Sequence, residues 1–205
     1  MVYRFAEDGS GEVVAETCKP GIGSFKGLHY PASDIPVQAR ELYKRNLLRV
    51  IADVDAVSVA IEPARDEKGQ LLDLSYSILR SVSPIHIEYL KNMGVRASMS
   101  ISILVDGELW GLFACHHYSA KSPTFEIRSV CELFSQMYSL RLESRERKEV
   151  MDYERRARDI TLTRCSYRRI RSAGSPFAER PLDLTPARKS TLKVTPTITA
   201  ILEAT

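Results

Sequence analysis

The sequence predicts an α+β protein, because strand patterns that pair through tight turns alternate with amphipathic helix patterns. Residues 97–105 alternate apolar side chains with serines, and residues 108–117 return after the hairpin signal Asp106-Gly107. A long helix with an apolar stripe begins at Pro123. With 205 residues and 44% hydrophobic composition, the chain is long enough to bury a core of ordinary size.

The amino-terminal residues form a predicted hairpin. Residues 2–5 are a strand pattern, residues 8–11 (Asp-Gly-Ser-Gly) are the turn, and residues 12–16 are the returning strand. Glycines at 21 and 23 then indicate a loop that leads into residues 25–30.

A rigid polar loop, Pro31 to Pro36, precedes the first predicted helix. Apolar side chains recur at helical spacing from Ile35 to Ile51, so we expect one amphipathic helix over that range. Ser33 or Asp34 can cap it, and a helix cap is the structural interpretation of Asp34.

Two further strands are predicted before the second helix. Residues 57–61 alternate like a strand and stop at Pro63, and residues 74–78 alternate again ahead of Arg80. The charged residues 65–70 between them form an exposed turn.

Residues 83–94 carry the signals of a short helix with defined ends. Ser83 can cap the first turn, Pro84 suits the first helical position, and Gly94 suits a left-handed stop. Inside these limits His86, Tyr89 and Met93 recur at three- and four-residue spacing and share one face. From this helix alone, the favoured interpretation of His86 is a structural histidine.

Composition excludes several classes of protein. No apolar run has membrane-spanning length, the start is not a signal peptide, and the four cysteines lie far apart, so we expect free thiols and a cytoplasmic location. Residues 151–205 carry 11 Lys and Arg against 6 Asp and Glu, whereas residues 1–150 carry 18 against 20. The basic tail lacks a nucleic-acid motif, so we expect a solvated tail and no nucleic-acid partner.

Three blocks of sequence resemble one family: residues 31–36 (Pro-Ala-Ser-Asp-Ile-Pro), residues 83–95 and residues 109–117. In order and spacing they are similar to the chromophore-binding GAF domain of phytochromes, most closely the bacteriophytochromes, from Tyr3 to about Asp159. The resemblance implies the GAF fold, an α/β sandwich with a central antiparallel sheet and helices on both faces. The expected organisation is a GAF domain over 1–148, a charged helical linker over 149–160 and a low-order tail over 161–205.

The resemblance also implies a pocket for a linear tetrapyrrole. Asp34, the backbone of Ile35 and Pro36, and His86 would approach the inner pyrrole rings. One propionate would meet Arg49, Arg80 and nearby Tyr43, and the other would meet Ser98 and Ser100. Tyr3, Tyr30 and Met93 would surround the isomerising ring, with His116 as its hydrogen-bond partner, and Ser83 and Tyr89 complete the implied set.

The sequence departs from the family at the attachment point. Phytochromes that attach the pigment through this domain have cysteine directly before the histidine, where this chain has Ile85. Bacteriophytochromes use a cysteine in a preceding PAS domain, and neither that domain nor a PHY domain is recognisable here. We therefore expect a truncated photoreceptor that holds biliverdin without a covalent bond.

The strand pairing raises one conflict with that pocket. A simple two-residue turn at Asp106-Gly107 would place Ser98 and Ser100 on the opposite sheet face from His116. A bulge, or a pocket that wraps round the strand end, is required.

Two functions stay open. The first is a biliverdin-binding domain that senses red and far-red light by pigment isomerisation. The second is a pigment-free GAF domain that serves as a dimerisation or interaction module through the long helix after Pro123. Catalysis is not expected, because the sequence has no metal-ligand spacing, nucleophile elbow or phosphate loop.

Overall fold

A computed structural model describes residues 1–78 and 80–172, with the backbone alone from 162 onward. Its centre is a six-stranded antiparallel sheet with the order β3-β2-β1-β6-β5-β4. The strands are β1 Val2–Phe5, β2 Gly11–Ala15, β3 His29–Tyr30, β4 Leu48–Ile51, β5 Ala97–Val105 and β6 Glu108–His117. The helices are α1 Val37–Arg45, α2 Pro84–Asn92 and α3 Phe125–Ser172. The predicted α+β class is confirmed.

Neighbouring residues of β6 show that helices cover both faces of the sheet. Phe113 is buried against Phe134 and Tyr138 of α3, with ring centroids 5.2 and 4.9 Å away. Leu112 points the other way, as successive strand residues do, into a cluster that includes Tyr43 of α1. The candidate site lies on this second face.

The register of β5 and β6 resolves the conflict that the sequence raised. From Ala97 to Ile103 each residue of β5 opposes its partner in β6, but the register shifts between Ile103 and Leu104. Ile103 faces Gly111 and Leu104 faces Leu109, so Trp110 is the extra residue of a β-bulge. The required bulge is confirmed.

The first helix is shorter than predicted, because α1 ends at Arg45 and Asn46 takes an extended conformation. The side-chain amide of Asn46 donates to the Ser75 carbonyl at 2.5 Å, which holds the chain in this turn. Leu48 to Ile51, expected to continue the helix, is strand β4 with all four residues buried. A short, mainly apolar run without alternation fits a buried strand as well as a helix.

Two predicted strands are wrong. Val57 is 89% exposed, and residues 57–61 pair with no strand of the described chain. Residues 74–78 form turns, because backbone carbonyls of this segment accept hydrogen bonds from Asn46 and Arg49 instead of from a neighbouring strand. These hydrogen bonds hold the segment that begins at residue 74 across the end of α1, and we call this segment the strap.

Helix α2 has the predicted limits, with Pro84 in its first turn and Gly94 at a φ of 71° after its end. Ser83 occupies the N-cap position of α2 as predicted, but its hydroxyl makes no capping hydrogen bond, so that part of the prediction is wrong. Asp34 does not cap α1 either, because the N-cap position is Pro36. A role as a helix cap therefore does not explain the aspartate at position 34.

The chain divides into two compact units. The first contains Met1–Leu140 and holds the sheet, and the second begins at Arg141. In the second unit α3 is exposed and charged, with Arg145 paired to Glu149 at 3.1 Å. The helix extends past Ile160, where we expected helical order to end, and the tail beyond Ser172 lies outside the described residues. None of the described helices is long and apolar enough to span a membrane.

Candidate ligand-binding site

A narrow pocket of about 80 Å³ lies on the sheet face that α1 and α2 cover. Its walls come from β1, the segment 30–35, α1, α2, β5 and β6, which are far apart in the sequence. Eleven of the fifteen residues nominated by resemblance line it: Tyr3, Tyr30, Asp34, Ile35, Tyr43, His86, Tyr89, Met93, Ser98, Ser100 and His116. Pro36, Arg49, Arg80 and Ser83 do not.

Helix α2 supplies the aromatic and imidazole groups of one wall. The His86 ring stacks on Tyr89 with centroids 6.2 Å apart and planes at 17°. Met93 lines the same pocket, so the predicted common face of these three residues is confirmed. Burial lowers the pKa of His86, and the positive charge of Arg49 lowers it further, so this imidazole is held neutral.

Tyr3, Tyr30 and Tyr89, the last of them on α2, line the pocket together with Asp34. Burial raises the pKa of Tyr3 to about 12, and the negative charge of Asp34 adds to the effect. The same two causes raise the pKa of Tyr30 and Tyr89. Tyr3 also packs edge-on against Phe5 at 5.1 Å, which gives this wall a rigid aromatic base.

The bulged register brings the polar groups of β5 and β6 to the same pocket. Ser98 faces His116 across the strands, and Ser100 faces Ala114. Burial lowers the pKa of His116 to about 4, with the Met1 amine and His86 acting in the same direction. Ser98 is 7% exposed and its hydroxyl has no hydrogen-bond partner among the described residues, so it is available to a ligand.

Arg49 and Arg80 do not line the pocket, and both hold the strap that follows residue 74. Arg49 donates to the carbonyls of Ile78 and Ser81 at 3.0 and 2.9 Å, and Arg80 donates to Ser77 at 2.9 Å. Burial lowers the pKa of Arg49 to about 10, and the charge of Arg80 lowers it further. No carboxylate of the described chain forms an ion pair with either guanidinium, so the two cations favour an anionic group.

A larger pocket of about 660 Å³ adjoins the narrow one and shares Met1, Ser98, Ala114 and His116 with it. Sequence reasoning missed Phe25 and the loop from Thr17 to Ile22, which line this second space. It also missed Leu112 and Ala114, although their alternation with His116 along β6 could have found them.

Comparison with known proteins identifies the class to which this fold and site belong. Residues 1–144 match the model of the GAF domain, and the chain belongs to this family.

Within the family, its relatives are phytochromes. The chain is 50% identical over 178 residues to a bacteriophytochrome of Pseudomonas aeruginosa, covering 86% of this chain and 24% of that protein. It is 54% identical over 150 residues to cyanobacterial phytochrome B of Nostoc, covering 73% and 20%. The chain thus spans about a quarter or less of the length of these relatives. The solved chromophore-binding domain of the bacteriophytochrome RpBphP3 from R. palustris is 43% identical, with a TM-score of 0.69, over 72% of this chain and 50% of that one.

Proposed function

We propose that this GAF domain binds a bilin, biliverdin, without a covalent bond and senses red and far-red light through isomerisation of the pigment. The observation that carries the proposal is the narrow pocket, which gathers eleven of the fifteen residues nominated for a tetrapyrrole from distant parts of the chain.

The donor set of the pocket suits the chemistry of a bilin. Two propionates need cations and hydroxyls. The serines of β5 line the pocket and supply hydroxyls, whereas Arg49 and Arg80 lie outside its lining and donate to backbone carbonyls, so they would have to turn toward a propionate to bind it. A conjugated system needs apolar and aromatic walls, which Tyr3, Tyr89 and their neighbours supply.

The volume of the site requires adjustment on binding. A pocket of about 80 Å³ is below the several hundred Å³ that cofactor sites occupy, whereas the adjoining space of about 660 Å³ is within that range. The two spaces meet at Ser98 and His116. Tyr89 lines the narrow pocket and is 38% exposed, so we expect that this side chain can move aside when a ligand enters.

Each wall has a separate task in the proposal. A bound bilin would supply the absorption of light and the isomerisation, and the protein would bind and orient it and hold its protons. The Asp34 carboxylate would accept hydrogen bonds from pyrrole nitrogens, and neutral His86 would face the same rings. His116 and Ser98 would offer polar groups to the end ring and a propionate.

The test is an absorbance spectrum of the whole chain mixed with biliverdin, before and after red and far-red light. We expect a red-shifted, sharpened band that changes reversibly on illumination. The test variant is His86→Ala. Its matched control is His29→Ala, because His29 is exposed and lies outside both pockets. A parent spectrum equal to free biliverdin would overturn the proposal.

A specific feature also favours the alternative function, an interaction module. Val130, Leu133, Met137 and Leu140 of α3 recur at spacings of three and four and are each more than half exposed. Such a stripe is typical of a helix that pairs with a second copy. We expect light scattering to give a dimer for the parent and a monomer for Met137→Lys, with Gln136→Lys as the charge-matched control. A monomeric parent would exclude this second function.

A further inference from the structure

Glu16 follows directly after β2 and joins the two ends of a surface loop. Its carboxylate accepts hydrogen bonds from the Ser24 hydroxyl at 2.6 Å, the Phe25 amide at 2.9 and 3.1 Å, and the Lys26 amide at 3.3 Å. Burial raises the pKa of Glu16, but the hydrogen bonds together lower it below its usual value, so the carboxylate is charged. Charge-assisted bonds of this kind are stronger than neutral ones.

The loop spanned by Glu16, residues 17–23, has few other restraints. In the described chain its hydrogen bonds join only its own members, Ile22 to Lys19 at 3.3 Å and Cys18 to Ile22 at 3.9 Å. A methyl group built on Gly21 or Gly23 would meet no atom within 4 Å. The Glu16 carboxylate holds the end of the loop at residues 24–26, and the next restraints along the chain are the hydrogen bonds of Gly27 and Leu28 with Val13 at 2.9 and 3.1 Å. The position of the loop therefore depends in large part on Glu16.

The anchored segment forms part of the candidate site. Cys18, Lys19 and Ile22 line the larger pocket, which contains His116. Phe25, whose amide is bound to Glu16, lines that pocket and also packs against the cluster centred on Tyr3. If the Glu16 carboxylate moved, Phe25 would move with it, and the walls of both pockets would change.

We propose that Glu16 is a positioning residue of the pigment site, which fixes Phe25 and the loop 17–23 as the wall of the larger pocket beside His116. This inference rests on the proposed function, because the wall limits the space of the pigment's end ring. It assigns Glu16 no contact with the pigment.

The test is Glu16→Gln, which keeps the size of the side chain but replaces one acceptor oxygen with a donor facing the Phe25 and Lys26 amides. We expect the light-driven state to return in darkness faster by a factor of about three to ten, the factor that loss of one such hydrogen bond produces. Glu12→Gln is the matched control, because Glu12 lies on the same strand, pairs with Arg4 at 3.2 Å and lines neither pocket.

A second readout needs no pigment. Cys115 lines the larger pocket, and burial raises the pKa of its thiol to about 12, so it should react slowly with iodoacetamide. A loosened wall should speed its alkylation by a factor of about three or more in Glu16→Gln, measured by peptide mass spectrometry.

The two readouts separate the two proposals. If the parent takes up no biliverdin, the proposed function fails, while Cys115 labelling still tests the wall. If Glu16→Gln matches Glu12→Gln in labelling, or matches it in dark return when pigment binds, the role of Glu16 is overturned. Should Glu16→Gln not fold, Phe25→Leu must give the same acceleration, and a rate equal to the parent's would overturn the inference.

Discussion

The ring of Tyr3 lies over the backbone of Gly11, so closely that a methyl group built on Gly11 would be 2.1 Å from its Cζ atom. These residues belong to the paired strands β1 and β2, where Tyr3 faces Val13 and Phe5 faces Gly11. The ring thus extends along the neighbouring strand and takes the space that a side chain would occupy. Tyr3 is buried and lines the narrow pocket, so the missing side chain of Gly11 helps to shape the site.

Gly11→Ala should displace Tyr3 and destabilise the domain by about 1–3 kcal/mol, the usual effect of overpacking a buried site. Urea unfolding followed by circular dichroism measures the change. Gly23→Ala is the control, because a methyl group there meets no atom within 4 Å. Equal midpoints for the two variants would show that Tyr3 moves aside without a measurable effect on stability.

Asp34→Asn should leave folding unchanged, because Asp34 does not cap α1. It removes a negative charge beside the proposed pyrrole nitrogens, so the protonated pigment loses stabilisation and its pKa should fall. A pH series of absorbance spectra measures this shift, with circular dichroism as the control for the fold. Spectra that match the parent at every pH would separate Asp34 from the pigment.

The lowered pKa of His116 predicts that the folded domain loses stability in acid. Its folded pKa of about 4 lies below the ordinary histidine value, so folding favours the neutral ring. The stabilisation of the folded domain by the neutral His116 ring is fully present above about pH 6.5. It is lost as the pH falls toward 4, and the loss is on the order of 2 kcal/mol. His86 acts in the same direction.

The measurement is urea unfolding at several pH values between about 4 and 7. We expect His116→Gln to weaken this pH dependence, and His29→Gln, which changes an exposed histidine, to keep it. An unchanged slope for His116→Gln would assign the acid sensitivity to the carboxylates instead.

Biliverdin bound to this chain should separate from it on acid denaturation. By the resemblance to phytochromes, Ile85 stands where the GAF-linked members have cysteine, and its side chain is 79% exposed. Zinc-induced fluorescence after denaturing electrophoresis should therefore show no pigmented band. A fluorescent band would contradict non-covalent binding, and its loss in Cys18→Ser would identify the exposed thiol as the point of attachment.

Local signals explain what the sequence could predict. The Asp106-Gly107 turn and the limits of α2 depend on residues next to each other, so they were predicted correctly. The strand β4 was missed because its four buried residues show no regular alternation of apolar and polar side chains, and Val50 and Ile51 also fit the helical spacing of the preceding segment. The strap after residue 74 depends on Asn46 and Arg49, which are distant in sequence, and no local pattern contains those contacts.

For the candidate site, the sequence predicted the residues better than their arrangement. Resemblance nominated its residues, and counting along the hairpin showed that a bulge was needed, but neither revealed which residue would be extra. The glycines at 21 and 23 indicated a loop, but the sequence could not show that it lines a pocket, because its position depends on hydrogen bonds to Glu16 from the segment that follows it.

The extra residue at Trp110 decides which side chains of β6 face the pocket. If the same residues formed the hairpin without a bulge, Cys115 would lie opposite Ser98, and His116 would turn toward the core on the other face. Deleting one residue so that the bulge disappears leaves His116 opposite Ser98, whereas inserting one residue with the bulge kept exchanges the two faces. Homologues that preserve this pocket should therefore tolerate the loss of one residue between the turn and Gly111, whereas a single-residue gain there would indicate a domain that has exchanged its ligand wall for its core.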